Sequence, residues 1–466
     1  MVRNWLLIAV ITLATLFAGI GIIRWYAPQL LGIPVDLQMV RVSTEVVPFF
    51  NGVFRQEDYD DSESMIISDP YAHRARPLYE DMETMGPHDI LGFRNRYIPN
   101  VADIITIGDS QTYGNNVPLE QSWPGQLRTA MACKSPVVYN MSVGGWGAVE
   151  YLEIFKKALL FRPKVIIVAF YTGNDPMDSF MKAYSNDWWD FLRPDASLGK
   201  SDVPPNPGIP PPANELWNVH FSDSIEFLFA PTLRLASNHP DYPAVAAGYE
   251  IMLRVAGLMQ QIAASEGVHL IFTAIPTTEL VYAGRVMKAQ LQTPASYQRL
   301  VASEARFIRD MESRLSGLNG VDYVDVLTPL QQAALRDAPL YPPNNGHPVA
   351  AGYAVIAQAM APLVDTYIDM LPRGIVAVPE PSSGESSFSV FLVTDQVQRL
   401  SKPKELMRAN DWSEDDLQIV AARDLATLPR GPAISSSSPG QYSQKAVSNL
   451  TAKLQAGCDY HEAPEQ

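Results

Sequence analysis

The segment Lys164 to Tyr171, "KVIIVAFY", limits the possible folds more than any other stretch of the chain. After the lysine it runs apolar without alternation. A strand with one wet face alternates polar and apolar residues, so this one must be covered on both faces, as in a parallel sheet packed between helices. Its neighbours fit that reading. "DIITIG" (103–108) and "PVVYNMS" (136–142) read as strands, with helices predicted at Glu120–Cys133, entered through Ser122, and at Ala148–Phe161. Further on come a helix at 244–265, a strand "HLIFTAIP", a helix at 296–316 and a strand "VDYVDVL". A last helix at 348–366 places Val349, Tyr353, Ile356, Met360, Leu363 and Val364 on one face. Alternating strands and helices predict an α/β fold with a parallel sheet.

Residues 183–240 break the alternation. They contain "DVPPNPGIPPPANELW", and proline at that density defeats both helix and central strand, so this is an insertion or lid. Its tryptophans, Trp188, Trp189 and Trp217, serve either as packing for the lid or as stacking faces for a ligand. Beyond Leu371 the composition becomes linker-like around "VPEPSSGESS" and "PAISSSSPGQYS". One strand, "FSVFLVTD", and one acidic helix-like run, "SEDDLQIVAARDLATL", are expected there.

At the other end, Trp5 to Ile23 is 19 uncharged, mostly apolar residues. As a helix it would span about 28 Å, close to the hydrocarbon thickness of a bilayer. Trp5, Trp25 and Tyr26 flank it at headgroup level. It is expected to be an uncleaved membrane anchor, with a cleaved signal peptide as the alternative; either exports the remainder of the chain. The expected organisation is therefore an anchor or signal at 1–25, a membrane-proximal segment at 26–100, a catalytic domain at 101–371 and a C-terminal extension at 372–466.

The net charge of −15, with no basic run, argues against nucleic acid as a partner. Cys133 and Cys458 sit in no CxxC or Cys/His cluster, which argues against metal and redox chemistry and leaves room for one disulfide at most. His73, His88, His220, His239, His269 and His461 show no ligand spacing. No cofactor and no metal are expected.

Ligands of open parallel sheets bind at the carboxyl ends of the strands. Four short motifs fall there or open the next helix: Gly108-Asp109-Ser110, Asn140 to Gly147 with Gly144-Gly145, Gly173-Asn174-Asp175, and His347-Pro348. Each alone is an ordinary turn or cap. Together they bring a hydroxyl, a glycine amide, an asparagine amide and an imidazole to one edge. Those are the parts acyl transfer needs: nucleophile, oxyanion donors and base.

In these motifs the chain resembles the SGNH (GDSL-type) hydrolases, named for the Ser, Gly, Asn and His of four sequence blocks. Gly108-Asp109-Ser110-Gln111-Thr112 matches the first block, and Asn140 with Gly145 keeps the spacing of the second. Gly173-Asn174-Asp175 matches the third, and His347-Pro348 with Gly352 the last. The resemblance spans about residues 101–371, and "GFRN" before the first strand is similar to exported bacterial members associated with polysaccharides. It implies a three-layer, flavodoxin-like α/β sheet. It also implies an esterase or O-acyltransferase, acetyl being the expected group, acting on an acylated carbohydrate or other ester outside the cytoplasm. Ser110 and His347 would be catalytic, with Ser110, Gly145 and Asn174 as the oxyanion hole. The family carries an aspartate two or three residues before the histidine, where this chain has Asn344 and Asn345. That departure leaves a Ser–His dyad oriented by Asn344 or Asn345, a carboxylate from elsewhere such as Asp322 or Asp325, or an inactive polysaccharide-binding protein. A lipolytic esterase or thioesterase is the other alternative.

Overall fold

The computed structural model describes residues 66–67, 74–79, 85–99, 101–131, 134, 136–185, 187–205, 215–221, 225–336, 339–368, 374–379, 388–393, 397–413, 417–419, 425, 432–436 and 441. The apolar segment at 5–23, most of the membrane-proximal segment and both cysteines lie outside the described residues. Among the described residues no helix is long and apolar enough to cross a membrane.

The continuous apolar run forms strand β3 (Val165–Tyr171), with all seven residues buried. It pairs in parallel with β1 (Ile104–Gly108) on one side and β6 (His269–Ile275) on the other. Strand β2 (Val138–Asn140) extends the sheet beyond β1, and β7 (Val321–Val324) beyond β6. The sheet order is therefore β2-β1-β3-β6-β7, all parallel. The chain leaves β1 for β2 and returns across it to β3, so the topology switches direction beside β1, where such sheets open a crevice.

Alternate side chains of the strands feed two cores. On one face Ile105, Ile107, Ile166, Val168, Phe170 and Phe272 pack against α3 (Ala148–Ala158), α6 (Pro243–Glu266) and α9 (Ala295–Ser316). On the other, Ile104, Ile167, Ala169 and Ile271 meet α2 (Trp123–Ala130), α10 (Leu327–Leu335) and α11 (Ala350–Tyr367). Ser122 caps α2 by accepting from the Gly125 N–H at 3.3 Å.

Several boundaries differ from the sequence reading. "VDYVDVL" stops being a strand at Val324, because Asp325 Oδ1 accepts from the Leu327 and Thr328 N–H groups and starts α10. That helix had no sequence signal of its own. Helix α11 begins at Ala350 rather than 348, since Val349 is extended. The insertion holds an antiparallel hairpin, β4 (Trp217–His220) with β5 (Glu226–Phe229), followed by α5 (Pro231–Asn238). Beyond residue 371 the chain is more regular than its composition suggests. A sheet of order β10-β9-β8-β11 is built from β8 (Gly374–Pro379), β9 (Phe388–Val393), β10 (Val397–Arg399) and β11 (Gln418–Ile419). Strand β11 corrects the expected acidic helix at 418–419, where parallel pairing with Val376 and Ala377 outweighs local helix propensity.

The insertion's tryptophans split by environment. Trp189 is 5% exposed and joins the first core, Trp217 packs edge-on to Tyr297 at 4.6 Å, and Trp188 is 52% exposed. Replacing Trp189 with Ala should lower unfolding stability by about 3–5 kcal/mol in denaturant titration. Trp188→Ala should stay within about 0.5 kcal/mol.

Candidate active site

Strand β1 ends in a turn too tight for any side chain at its last residue. A Cβ on Gly108 would collide with Thr112 Oγ1 and lie 2.9 Å from the Ala169 carbonyl oxygen. Asp109 then caps the short helix α1 (Ser110–Tyr113), accepting from the Gln111 N–H at 2.9 Å. The turn is braced from below by Arg94, fully buried, which donates to the carbonyls of Gly86 (3.0 Å), Tyr113 (3.3 Å), Gly114 and Val117 (2.6 Å). Asn95 exchanges hydrogen bonds with the backbone of Asn140 at 3.1 and 2.9 Å, fixing the end of β2. The "GFRN" stretch is thus the clamp that sets the site's floor.

Ser110 and His347, 237 positions apart, meet at 2.7 Å between Oγ and Nε2. The other ring nitrogen, Nδ1, is 2.7 Å from Asn345 Oδ1. The same oxygen accepts from the His347 backbone N–H at 3.0 Å, and Asn345 Nδ2 donates to Asn116 Oδ1 at 3.1 Å. A backbone N–H can only donate, so the amide oxygen is the atom facing the ring. Nδ1 must then carry the proton, leaving the Nε2 lone pair aimed at the serine hydroxyl. Asn116 also donates to the His347 carbonyl at 3.4 Å, and Gln111 Nε2 to the Gly346 carbonyl at 3.1 Å, tying the histidine loop to α1.

Of the two asparagines, only Asn345 bonds the imidazole; Asn344 is exposed and does not. Neither Asp322 nor Asp325 supplies the missing carboxylate, which corrects that expectation. Asp322 accepts from the Tyr367 hydroxyl, and Asp325 starts α10. Among the described residues no carboxylate bonds the ring. Sequence reading missed Asn116, which carries no motif, and the role of Gln111, which lies in the first motif but reaches the histidine loop only through the fold.

The remaining groups gather around Ser110. The glycine loop after β2 passes beside it, so that a Cβ on Gly144 would come within 3.4 Å of Ser110 Cβ. Gly145 has φ +79, a left-handed conformation natural to glycine. Its N–H and that of Ser110, the first residue of α1, make no hydrogen bond among the described residues. Asn174, at the end of β3, donates one amide hydrogen to Asp178 and has a second to spare.

Charge around the site is set by burial. Burial, then the nearby Arg234 cation, hold the His347 imidazole down to about 4, so it is neutral at physiological pH. Burial pushes Asp109 up, its oxygen lying 3.3 Å from Ser110 Oγ, and pushes Asp178 up to about 6. Asp175 is raised well above the ordinary range, first by burial and then by Asp109. It accepts from the Tyr151 hydroxyl at 3.0 Å and the Tyr171 N–H at 2.9 Å, both through one oxygen. No cluster of His, Cys, Asp and Glu among the described residues could hold a metal ion.

The sequence model of the GDSL-like Lipase/Acylhydrolase family matches residues 106–355, more than half of the chain. The protein belongs to that family, and its class is that of the GDSL/SGNH hydrolases. None of the curated proteins compared with it matches. Solved structures similar to it include a G-D-S-L-family protein from Desulfitobacterium hafniense (17% identity, TM-score 0.32, covering 56% of this chain and 98% of that one). Another is a catalytic mutant of an acetylxylan esterase from Geobacillus stearothermophilus (10% identity, TM-score 0.32, 56% and 94%). A third is a GDSL-like lipase from Bacteroides thetaiotaomicron (13%, TM-score 0.27, 56% and 87%). Membership rests on the family match, not on these likenesses.

An NMR titration of the His347 ring should give a midpoint near 4. Asn345→Asp puts a negative charge on Nδ1–H, favours the imidazolium and should raise that midpoint by at least about one unit. Asn344→Asp should shift it by much less.

Proposed function

We propose that the protein is a serine ester hydrolase or O-acyltransferase that removes or moves an acyl group, acetyl foremost, on a carbohydrate. The observation that carries this reading is the 2.7 Å contact between Ser110 Oγ and a His347 Nε2 whose lone pair is directed at it by Asn345. The Ser110 proton passes to Nε2 as Oγ bonds the ester carbonyl carbon. The carbonyl becomes an oxyanion held by the Ser110 and Gly145 N–H groups and the spare Asn174 hydrogen. Collapse breaks the bond to the alcohol, which takes the proton from His347 and leaves an acyl-Ser110. Water, or a second sugar hydroxyl, attacks that acyl group by the same steps in reverse.

Asn345 in place of a carboxylate favours a working enzyme of reduced power over an inert one. In the serine-protease triad, Asp to Asn costs about 10⁴-fold because the histidine takes the wrong tautomer. Here the amide oxygen faces the ring, so the useful tautomer is kept and only the charge is missing. Support for a sugar substrate comes from Trp188 and Phe191, 52% and 58% exposed on the insertion, which offer flat apolar faces. The apolar segment at 5–23 supports an enzyme tethered at the membrane and working outside the cytoplasm.

A fluorophosphonate probe should label the wild type on Ser110 and fail on Ser110→Ala. A folded wild type that takes no label would favour the inert binding protein instead. Acetylated xylo-oligosaccharides should be turned over faster than 4-nitrophenyl octanoate; the reverse order would favour a lipolytic esterase. Asn174→Ala should lower kcat by about 10²–10³ with little change in KM, as loss of one oxyanion donor does.

A further inference from the structure

We propose that Arg234 sets the substrate's charge: its guanidinium takes a carboxylate on the alcohol portion of the ester, as an O-acetylated uronic acid presents. This rests on the ester-hydrolase reading. Arg234 lies on α5 of the insertion, and its Nη2 is 2.5 Å from where a Cβ on Gly346 would be. A side chain at position 346 would push the guanidinium out of that place. The Tyr171 ring flanks it at 5.8 Å from the guanidinium carbon.

The guanidinium of Arg234, on a partly buried side chain, makes no hydrogen bond or ion pair among the described residues. Two other enclosed arginines are satisfied, Arg94 by four carbonyls and Arg193 by Asp190 at 2.6 Å. The carboxylates nearby are engaged elsewhere. Glu279 accepts from the Ala230 N–H at 3.2 Å. Glu304 accepts from the Thr172 hydroxyl, the Thr277 N–H (2.8 Å) and the Thr277 hydroxyl (2.6 Å). A guanidinium held at a catalytic crevice without a hydrogen-bonding or ionic partner matches a ligand carboxylate, whose two oxygens fit its planar fork. The side of the crevice follows from the chemistry. His347 returns its proton to the departing alcohol, so a cation next to His347 faces the alcohol portion and not the acyl group. In a chain of net charge −15 the surrounding field does not draw in anions, so recognition has to be local.

Two arms test this with wild type, Arg234→Gln and Arg234→Lys. In the first, methyl glucuronide and methyl glucoside, each O-acetylated, are compared as substrates. Wild type should favour the acid, and Arg234→Gln should reduce the acid-over-neutral ratio of kcat/KM by about 10- to 100-fold, mainly through KM. Arg234→Lys, a point charge without the fork, should retain part of the preference. Equal loss on both esters would overturn the assignment. In the second arm, binding of glucuronate is measured by calorimetry, which needs no turnover. Arg234→Gln should weaken it by the same factor. No binding to wild type, undiminished binding to Arg234→Gln, or equal competition by acetate and inorganic phosphate would each overturn the sugar-acid assignment. Failure of fluorophosphonate labelling would remove the hydrolase reading alone, and the binding arm would still decide the role of Arg234.

Discussion

The site hangs on one hydrogen bond, from the Ser110 hydroxyl to His347 Nε2, made between loops at opposite ends of the α/β unit. Neither residue can reach the other by local geometry. Ser110 is presented by the sharp exit from β1, which the missing side chain of Gly108 permits and Arg94 braces. His347 is brought in by the loop before α11, whose helix packs through Tyr353, Ile356 and Met360 on the same face of the sheet as Ile104 and Ile167. Cross-links from Gln111 and Asn116 then fix the loop at the resolution of a single hydrogen bond. The buried sheet is what makes such precision possible, because a packed core cannot slide by fractions of an ångström without opening voids.

The electrostatics differ from those of a triad with a carboxylate. The acids sit behind the serine, in the floor made by Asp109, Asp175 and Asp178, and the histidine's neighbours are a neutral amide and a cation. Burial raises each of the three acids, which lessens the negative charge beneath the nucleophile near neutral pH. A neutral imidazole is ready to accept a proton, but the imidazolium formed on serine attack has no anion on Nδ1 to stabilise it. Such a site accepts a slower first step. An anionic substrate on the Arg234 side would bring a compensating negative charge close to that imidazolium.

Much of this was legible in the residues themselves. The unbroken apolar run of β3 announced a two-sided sheet, and three of the four motifs fell at its strand ends because parallel topology puts all carboxyl ends on one edge, while His347-Pro348 precedes the last helix. What stayed hidden depends on distance in space. Asn344 and Asn345 are equivalent on paper, and only the loop's path shows that the second faces Nδ1. Asn116 and Arg234 carry no motif, and Arg234 lies in an insertion whose proline content concealed a hairpin and a helix. The strand at 418–419 shows the converse, a segment of helix-forming composition recruited by an open sheet edge.

The central claim is that the amide oxygen of Asn345 fixes the His347 tautomer and so arms Ser110. Nitrogen-15 NMR of the imidazole at neutral pH reads that tautomer directly. A neutral ring with the proton on Nδ1 and a bare Nε2 is the predicted result. A proton found on Nε2, or a ring already charged, would contradict it.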